Sequence, residues 1–245
     1  MPEKLMIREK EFEEGNGMKK KTPGFGEYTL QLLTKNYTVT PCDLGSDAKL
    51  SKKGFHFETE AYDVSGLGHL CIMKMKGLAG LMRMETVVLA VTDKDVPLYN
   101  VDWIGAMGRE TQIMELYNDQ ISFQPDSLLQ AFQKIKDRDA EITDYTSDGA
   151  HWYDDILYPC SYAKKGKKVS ARLHRAARDC TRVFLARTAQ APSCDPEVKK
   201  EKVRSFAETL YSEGGPAVDM LTQLFGEETA KRVILGHMYG LKDPE

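Results

Sequence analysis

The sequence predicts an α/β protein of the α+β type, a three-layer α/β/α sandwich in which helices flank a central antiparallel sheet. Three observations carry that expectation. Between Phe55 and Tyr117, five short segments rich in Val, Ile, Tyr and Met alternate with turns bearing Gly or Asp, the pattern of a strand meander. Several segments, VVLAV above all, are apolar at every position, so both faces of the sheet need cover. Beyond Pro125 the apolar spacing lengthens to that of helices, which supply the cover.

In chain order, residues 1–22 are polar and expected to fray. Tyr28, Leu30, Leu32 and Leu33 suggest a short helix or strand entering the fold. The meander over 55–117 then reads FHFETEAYDV, HLCIMKM, METVVLAV, PLYNVDWIG and TQIMELY, separated by SGLG, KGLAGL, TDKD and AMGRE. Residues 127–245 are expected to be mainly helical. Leu128, Leu129, Phe132 and Ile135 mark one helix, and a loop follows around His151 and Trp152. A long helix over Val169–Ala189 carries Leu173, Ala176, Ala177, Cys180, Val183 and Phe184 on one face. Pro192 and Pro196 end it, and a helix from about Glu197 to Ser212 follows. Pro216 is placed for the first turn of the closing helical stretch. No internal repeat or linker divides the 245 residues, which are expected to form a single domain.

At 41% hydrophobic and 29% charged residues, the composition excludes disorder over most of the length. The charged N-terminus does not read as a secretion signal, and no apolar run approaches the ~18 residues of a membrane span, so a cytoplasmic location is expected. Five scattered cysteines with no C-x-x-C pair suggest reduced thiols. The net charge of −3 hides an uneven distribution. From Ser161 to Arg204 there are thirteen Lys or Arg against four acids, leaving +9 there and −12 elsewhere. Such a segment suits an anionic partner, although a solvated helix surface accounts for it equally well.

The familiar chemical signatures are missing. GFGEYT, GLGHL, GLAGL and GAMGRE offer paired glycines, but none completes a dinucleotide or P-loop fingerprint, and hairpin turns are the better reading. No G-x-S-x-G marks a nucleophile. His69 and Cys71 point to one face of a strand, but two ligands do not make a metal site. There remain carboxylates on strands: Asp102, midway along an otherwise apolar segment on the face of Asn100 and Ile104, and Glu85, opening the preceding one. If adjacent strands bring them together, burial and mutual repulsion raise their pKa values and make a proton donor. On the residues alone the structural alternative is the commoner one, with Asp102 paired to an arginine or capping a turn and Glu85 in water.

The whole order of the chain resembles the ferredoxin-dependent bilin reductases from about Phe57 to the end. The stretch METVVLAVTDKDVPLYNVDWIG is similar to that family's strand, Pro-containing turn and strand with a late aspartate. LTQLFGEETAKRVILGHMYG is similar to its closing Leu-x-x-x-Phe-Gly helix, and Trp152 falls where members often place an aromatic. The resemblance implies a linear tetrapyrrole held between the sheet and the C-terminal helices. It implies no bound flavin, nicotinamide or metal, with electrons arriving singly from reduced ferredoxin or flavodoxin.

Residue by residue, Asp102 falls on the family's central aspartate, the proton donor to the bilin. Glu85 falls where some members have histidine and others asparagine, and is expected to act as a coupled acid or orienting group. Cys71 and Met73 occupy positions where some members have His and Glu, with His69 two residues away; these three, with Asn100, are expected to contact substrate. Where members carry a polar stretch before the last helices, sometimes with a second aspartate, this chain has Gly214-Gly215-Pro216, and the nearest acid, Asp219, is also expected to contact substrate. An acidic electron carrier gives the 161–204 segment a partner, and its guanidiniums suit bilin propionates. Two alternatives stay open: a non-catalytic or differently specific tetrapyrrole binder on the same fold, of the chlorophyll-catabolite reductase type, and, more remotely, a nucleic-acid binder using the basic helices.

Overall fold

The computed structural model describes residues 24–147 and 149–241; the fraying expected for residues 1–22 lies outside that range. The five-strand meander is present: β3 (Phe55–Val64), β4 (Gly68–Gly77), β5 (Met82–Val91), β6 (Leu98–Ala106) and β7 (Arg109–Tyr117) pair in sequence, each antiparallel to the next. Sequence reading missed three short strands that widen the sheet to eight. β1 (Val39–Pro41) and β2 (Lys49–Lys52) pair with β3, and β8 (Tyr162–Gly166) pairs with β7. These have only three to five residues, too few to show an alternation. β8 also interrupts the stretch expected to be mainly helical.

The helices are α1 (Phe25–Asn36), α2 (Asp126–Arg138), α3 (Ser170–Thr188), α4 (Pro196–Glu213), α5 (Pro216–Phe225) and α6 (Glu227–Lys231), the last widening into a π-helical segment over Arg232–Met238. Pro196 and Pro216 each stand in a first turn, where the absent N–H is no loss. Asp195 caps α4 by accepting from the Glu197 N–H. Gly226, at φ 91°, separates α5 from α6.

Strand alternation sends the side chains into two separate layers. On one face Ile72, Val87, Leu89, Tyr99, Val101 and Met114 pack against α1, α2 and α3. There the Tyr99 ring stacks on Phe184 at 4.6 Å and meets Phe132 edge-on. On the other face Phe57, Cys71, Met73, Met75 and Val88 pack against α4, α5 and the π-helical segment. The three-layer sandwich is therefore the observed architecture.

Buried carboxylates fix where β6 begins. Asp119 accepts from the Leu98 N–H at 2.7 Å and is ion-paired to the buried Lys199 of α4, also at 2.7 Å. Asp95 accepts from three consecutive backbone N–H groups, those of Ile121, Ser122 and Phe123, which hold its carboxyl below the usual range against the opposing effect of burial. Lys199 thus fastens the C-terminal layer to the strand pair that carries the candidate site.

Candidate functional site

The register of the sheet assembles the site. On the C-terminal face one row across the strands reads Thr59, Met73, Thr86, Asp102 and Ile113. The next reads Ala61, Cys71, Val88, Asn100 and Glu115. Asp102 and Glu115 are diagonal neighbours on adjacent strands, close enough to interact. Phe206 of α4 reaches toward this face, its ring 4.7 Å from Tyr117, 5.2 Å from Trp152 and 5.8 Å from Tyr239. Met75 and Met84 supply flexible apolar lining beside it.

Asp102 keeps an edge open to solvent but is otherwise enclosed, and burial raises its carboxyl pKa to about 6, against the opposing pull of a 2.5 Å hydrogen bond from the Thr86 hydroxyl. Glu115 is raised further, to about 7, first by burial and then by the charge of Asp102, while a hydrogen bond from the Tyr117 hydroxyl at 2.7 Å works the other way. The physical cause is the one expected for strand carboxylates: charge removed from water beside a like charge. Asn100 donates to the Tyr239 hydroxyl at 3.2 Å. Asn100 Oδ1 and the Trp152 indole Nε1 are buried and meet no protein partner among the described residues. An acceptor and a donor left so are available to a ligand.

Glu85 does not belong to this group. It lies opposite Trp103, not Asp102, and so projects from the other face of the sheet. There its Oε1 accepts from the Gly26 N–H at 3.2 Å, where an anion suits the N-terminus of α1. Its pKa is raised by burial, partly offset by Lys74 and by the helix-end amides. The expectation of an Asp102–Glu85 pair is corrected to Asp102–Glu115. The error was one of parity: Glu85 and Asp102 come close in order but occupy odd and even positions of a paired register. Glu115 carried the same signal as Asp102, an acid inside an apolar strand, in MELY.

Cys71, Met73 and Asn100 do lie on the site face. His69 lies one row further toward the start of β4, its Nε2 2.9 Å from the His237 carbonyl. Asp219 is exposed in the first turn of α5, beside Gly214, and no contact joins it to the carboxyl pair. The basic 161–204 segment does not form one face. Its α3 part packs on one side of the sheet and its α4 part on the other, and Lys164 and Lys199 are buried in ion pairs with Asp144 and Asp119. Lys165, Lys167, Lys168 and Arg175 remain exposed around the start of α3.

Two clefts of about 570 and 470 Å³ open at the β3–β4 edge, within the usual size of small-molecule sites. Neither reaches Asp102 or Glu115; Tyr239 lines the larger one and touches Asn100 behind it. No helix among the described residues is long and apolar enough to cross a membrane.

No family model matches the chain, and no curated protein sequence does so. Among solved structures, the chain is similar to the phytochromobilin synthase from tomato, determined in complex with biliverdin. The two share 14% identity over 87% of this chain and 80% of that one, with a TM-score of 0.66. The fold expected from the sequence is thus that of a known bilin-binding enzyme.

Proposed function

We propose that this protein is a bilin reductase acting on a biliverdin-like linear tetrapyrrole. The observation that carries the reading is the Asp102–Glu115 pair. It consists of two carboxyl groups with pKa values raised to about 6 and about 7, on the sheet face that the C-terminal helices cover. The fold likeness to an enzyme solved with biliverdin supports the choice of ligand.

Reducing one double bond of a bilin takes two electrons and two protons. Between pH 6 and 7 the pair shares about one proton between its two sites. Asp102, aimed by Thr86, delivers that proton to the tetrapyrrole, Glu115 returns it to Asp102 as the pair's store, and the second proton enters from solvent. Asn100 Oδ1 accepts from a pyrrole N–H, while Cys71 and Met73 form the wall beside the ring system. Electrons come singly from an external acidic carrier such as ferredoxin or flavodoxin, which the exposed lysines preceding α3 suit by charge. The lack of a nucleotide fingerprint in the sequence agrees with an external donor.

The test is to add biliverdin to the purified protein, record the absorbance spectrum, and then supply reduced ferredoxin without oxygen. A red-shifted bound spectrum followed by consumption of biliverdin is expected. Binding without consumption favours a tetrapyrrole carrier, and no spectral change at either step rules out both readings.

A further inference from the structure

Cys42, Asp63 and His69 stand apart from the carboxyl pair, at the edge of the sheet. Asp63 and His69 are directly opposed on β3 and β4. Cys42 follows β1, whose ladder with β3 it extends by donating its N–H to the Ala61 carbonyl. Three adjacent strands therefore present the three side chains on one face, and their Sγ, carboxylate O and imidazole N atoms all lie within 4.8 Å of one another. Ala61, with its small side chain, lies between Cys42 and Cys71 in the neighbouring row.

The histidine supplies the second observation. Its Nε2 lies 2.9 Å from the carbonyl oxygen of His237 and so carries the hydrogen. Its Nδ1 then faces Asp63 Oδ1 at 3.4 Å, which is long for a charge-assisted hydrogen bond. It is close to the edge of a tetrahedron around a cation with bonds of ~2.0 Å, about 3.3 Å. An imidazole that donates from one nitrogen to a backbone carbonyl while turning the other toward a thiol and a carboxylate is the arrangement of a metal-ligating histidine. Gly240, at φ 69°, lies directly against the ring: a Cβ there would fall 2.6 Å from its Cγ and 2.7 Å from Nδ1. Only a residue without a side chain fits beside the ligating nitrogen.

We propose that Cys42, Asp63 and His69 form a binding site for one divalent cation of the zinc type. Thiolate, imidazole and carboxylate together select a borderline-soft ion over calcium or magnesium. Three protein ligands leave a fourth position, which opens into the 470 Å³ cleft that all three residues line together with Lys231 and Arg232. A water molecule or an anionic group completes the coordination there. The sequence offered only His69 with Cys71, two residues apart on one strand; the other two ligands come from neighbouring strands. The inference is independent of the tetrapyrrole reading.

The test uses metal alone on the chelator-treated, full-length protein, with no bilin present. Cobalt(II) is added first, then displaced by zinc, and the zinc affinity is measured by competition with a chromophoric chelator. The expected result is one equivalent of cobalt with a thiolate charge-transfer band in the near-ultraviolet, displaced by zinc, and a higher melting temperature with zinc. Cys42→Ser should abolish the band, and Asp63→Asn, at a mostly exposed side chain, should weaken zinc at least tenfold. Cys194→Ser should change neither, and circular dichroism checks that each variant folds. The absence of a band in the native protein, its survival in Cys42→Ser, or its loss in Cys194→Ser overturns the proposal.

Discussion

The Thr86 hydroxyl donates to Asp102 Oδ1 at 2.5 Å, across the β5–β6 pair and in exact register with it. It is the one hydrogen bond that opposes the rise in Asp102 pKa, so Thr86 sets both the direction of the carboxyl and how readily it gives up a proton. Thr86→Val keeps the shape and removes the donor. The Asp102 pKa should then rise above about 6, and the alkaline limb of the pH profile for bilin reduction should move to higher pH. An unchanged profile would separate Thr86 from the acid.

Asp102→Asn should leave biliverdin binding intact and lower the reduction rate by ~10²–10⁴-fold, the usual contribution of a positioned acid. It also removes the charge that helps to raise Glu115. The carboxyl stretch of Glu115, followed by infrared difference spectroscopy, should therefore titrate below pH 7 in this variant. Turnover at the native rate would take Asp102 out of the mechanism.

Glu115 links the site to stability. Its folded pKa of about 7 lies above the ordinary glutamate value of 4.5, so between those limits the native state binds more protons than the unfolded chain, and stability falls as pH rises from about 4.5 to 7. Above pH 7 that loss is complete. Glu115→Gln should remove it, raising unfolding free energy by about 3 kcal/mol at pH 8 and changing it little at pH 4. Urea titrations at the two pH values give the comparison, and an equal effect at both would contradict the buried-acid account.

Glu85→Gln should leave reduction unchanged, because Glu85 sits on the far face and serves the end of α1. Its neighbour Gly26 is the sensitive position there. A Cβ at residue 26 would fall 2.6 Å from Ile72 Cγ2 and 2.9 Å from Glu85 Oε1, so Gly26→Ala should cost ~1–3 kcal/mol with bilin affinity preserved in the folded fraction. A Glu85→Gln variant with slowed turnover would return that residue to the site.

The meander was legible because each strand is long, strongly apolar and closed by a turn, and the order of the five followed directly. Asp102 was legible because an acid in PLYNVDWIG contradicts its surroundings. The partner was not, since register depends on which residues face each other. KGLAGL and AMGRE set that register through backbone angles that composition does not reveal, including positive φ at Leu78, Ala79 and Met107. The Cys42–Asp63–His69 cluster was hidden for another reason: its members are spread over 28 positions and meet only because β1, too short to show a pattern, returns beside β3.

The parity of the central strands bears on how such a chain can diverge. Because even positions of β5 and β6 serve the reactive face and odd positions the sealed one, the two faces can accumulate substitutions independently, each constrained only by what packs on it. Ligand preference can drift on one side while the other retains the stability of the fold, which suits a likeness of shape that survives at 14% identity. The change such a lineage cannot absorb is a single-residue insertion or deletion within β5 or β6. That one event would carry Asp102 or Thr86 into the dry layer and turn aliphatic side chains toward the ligand.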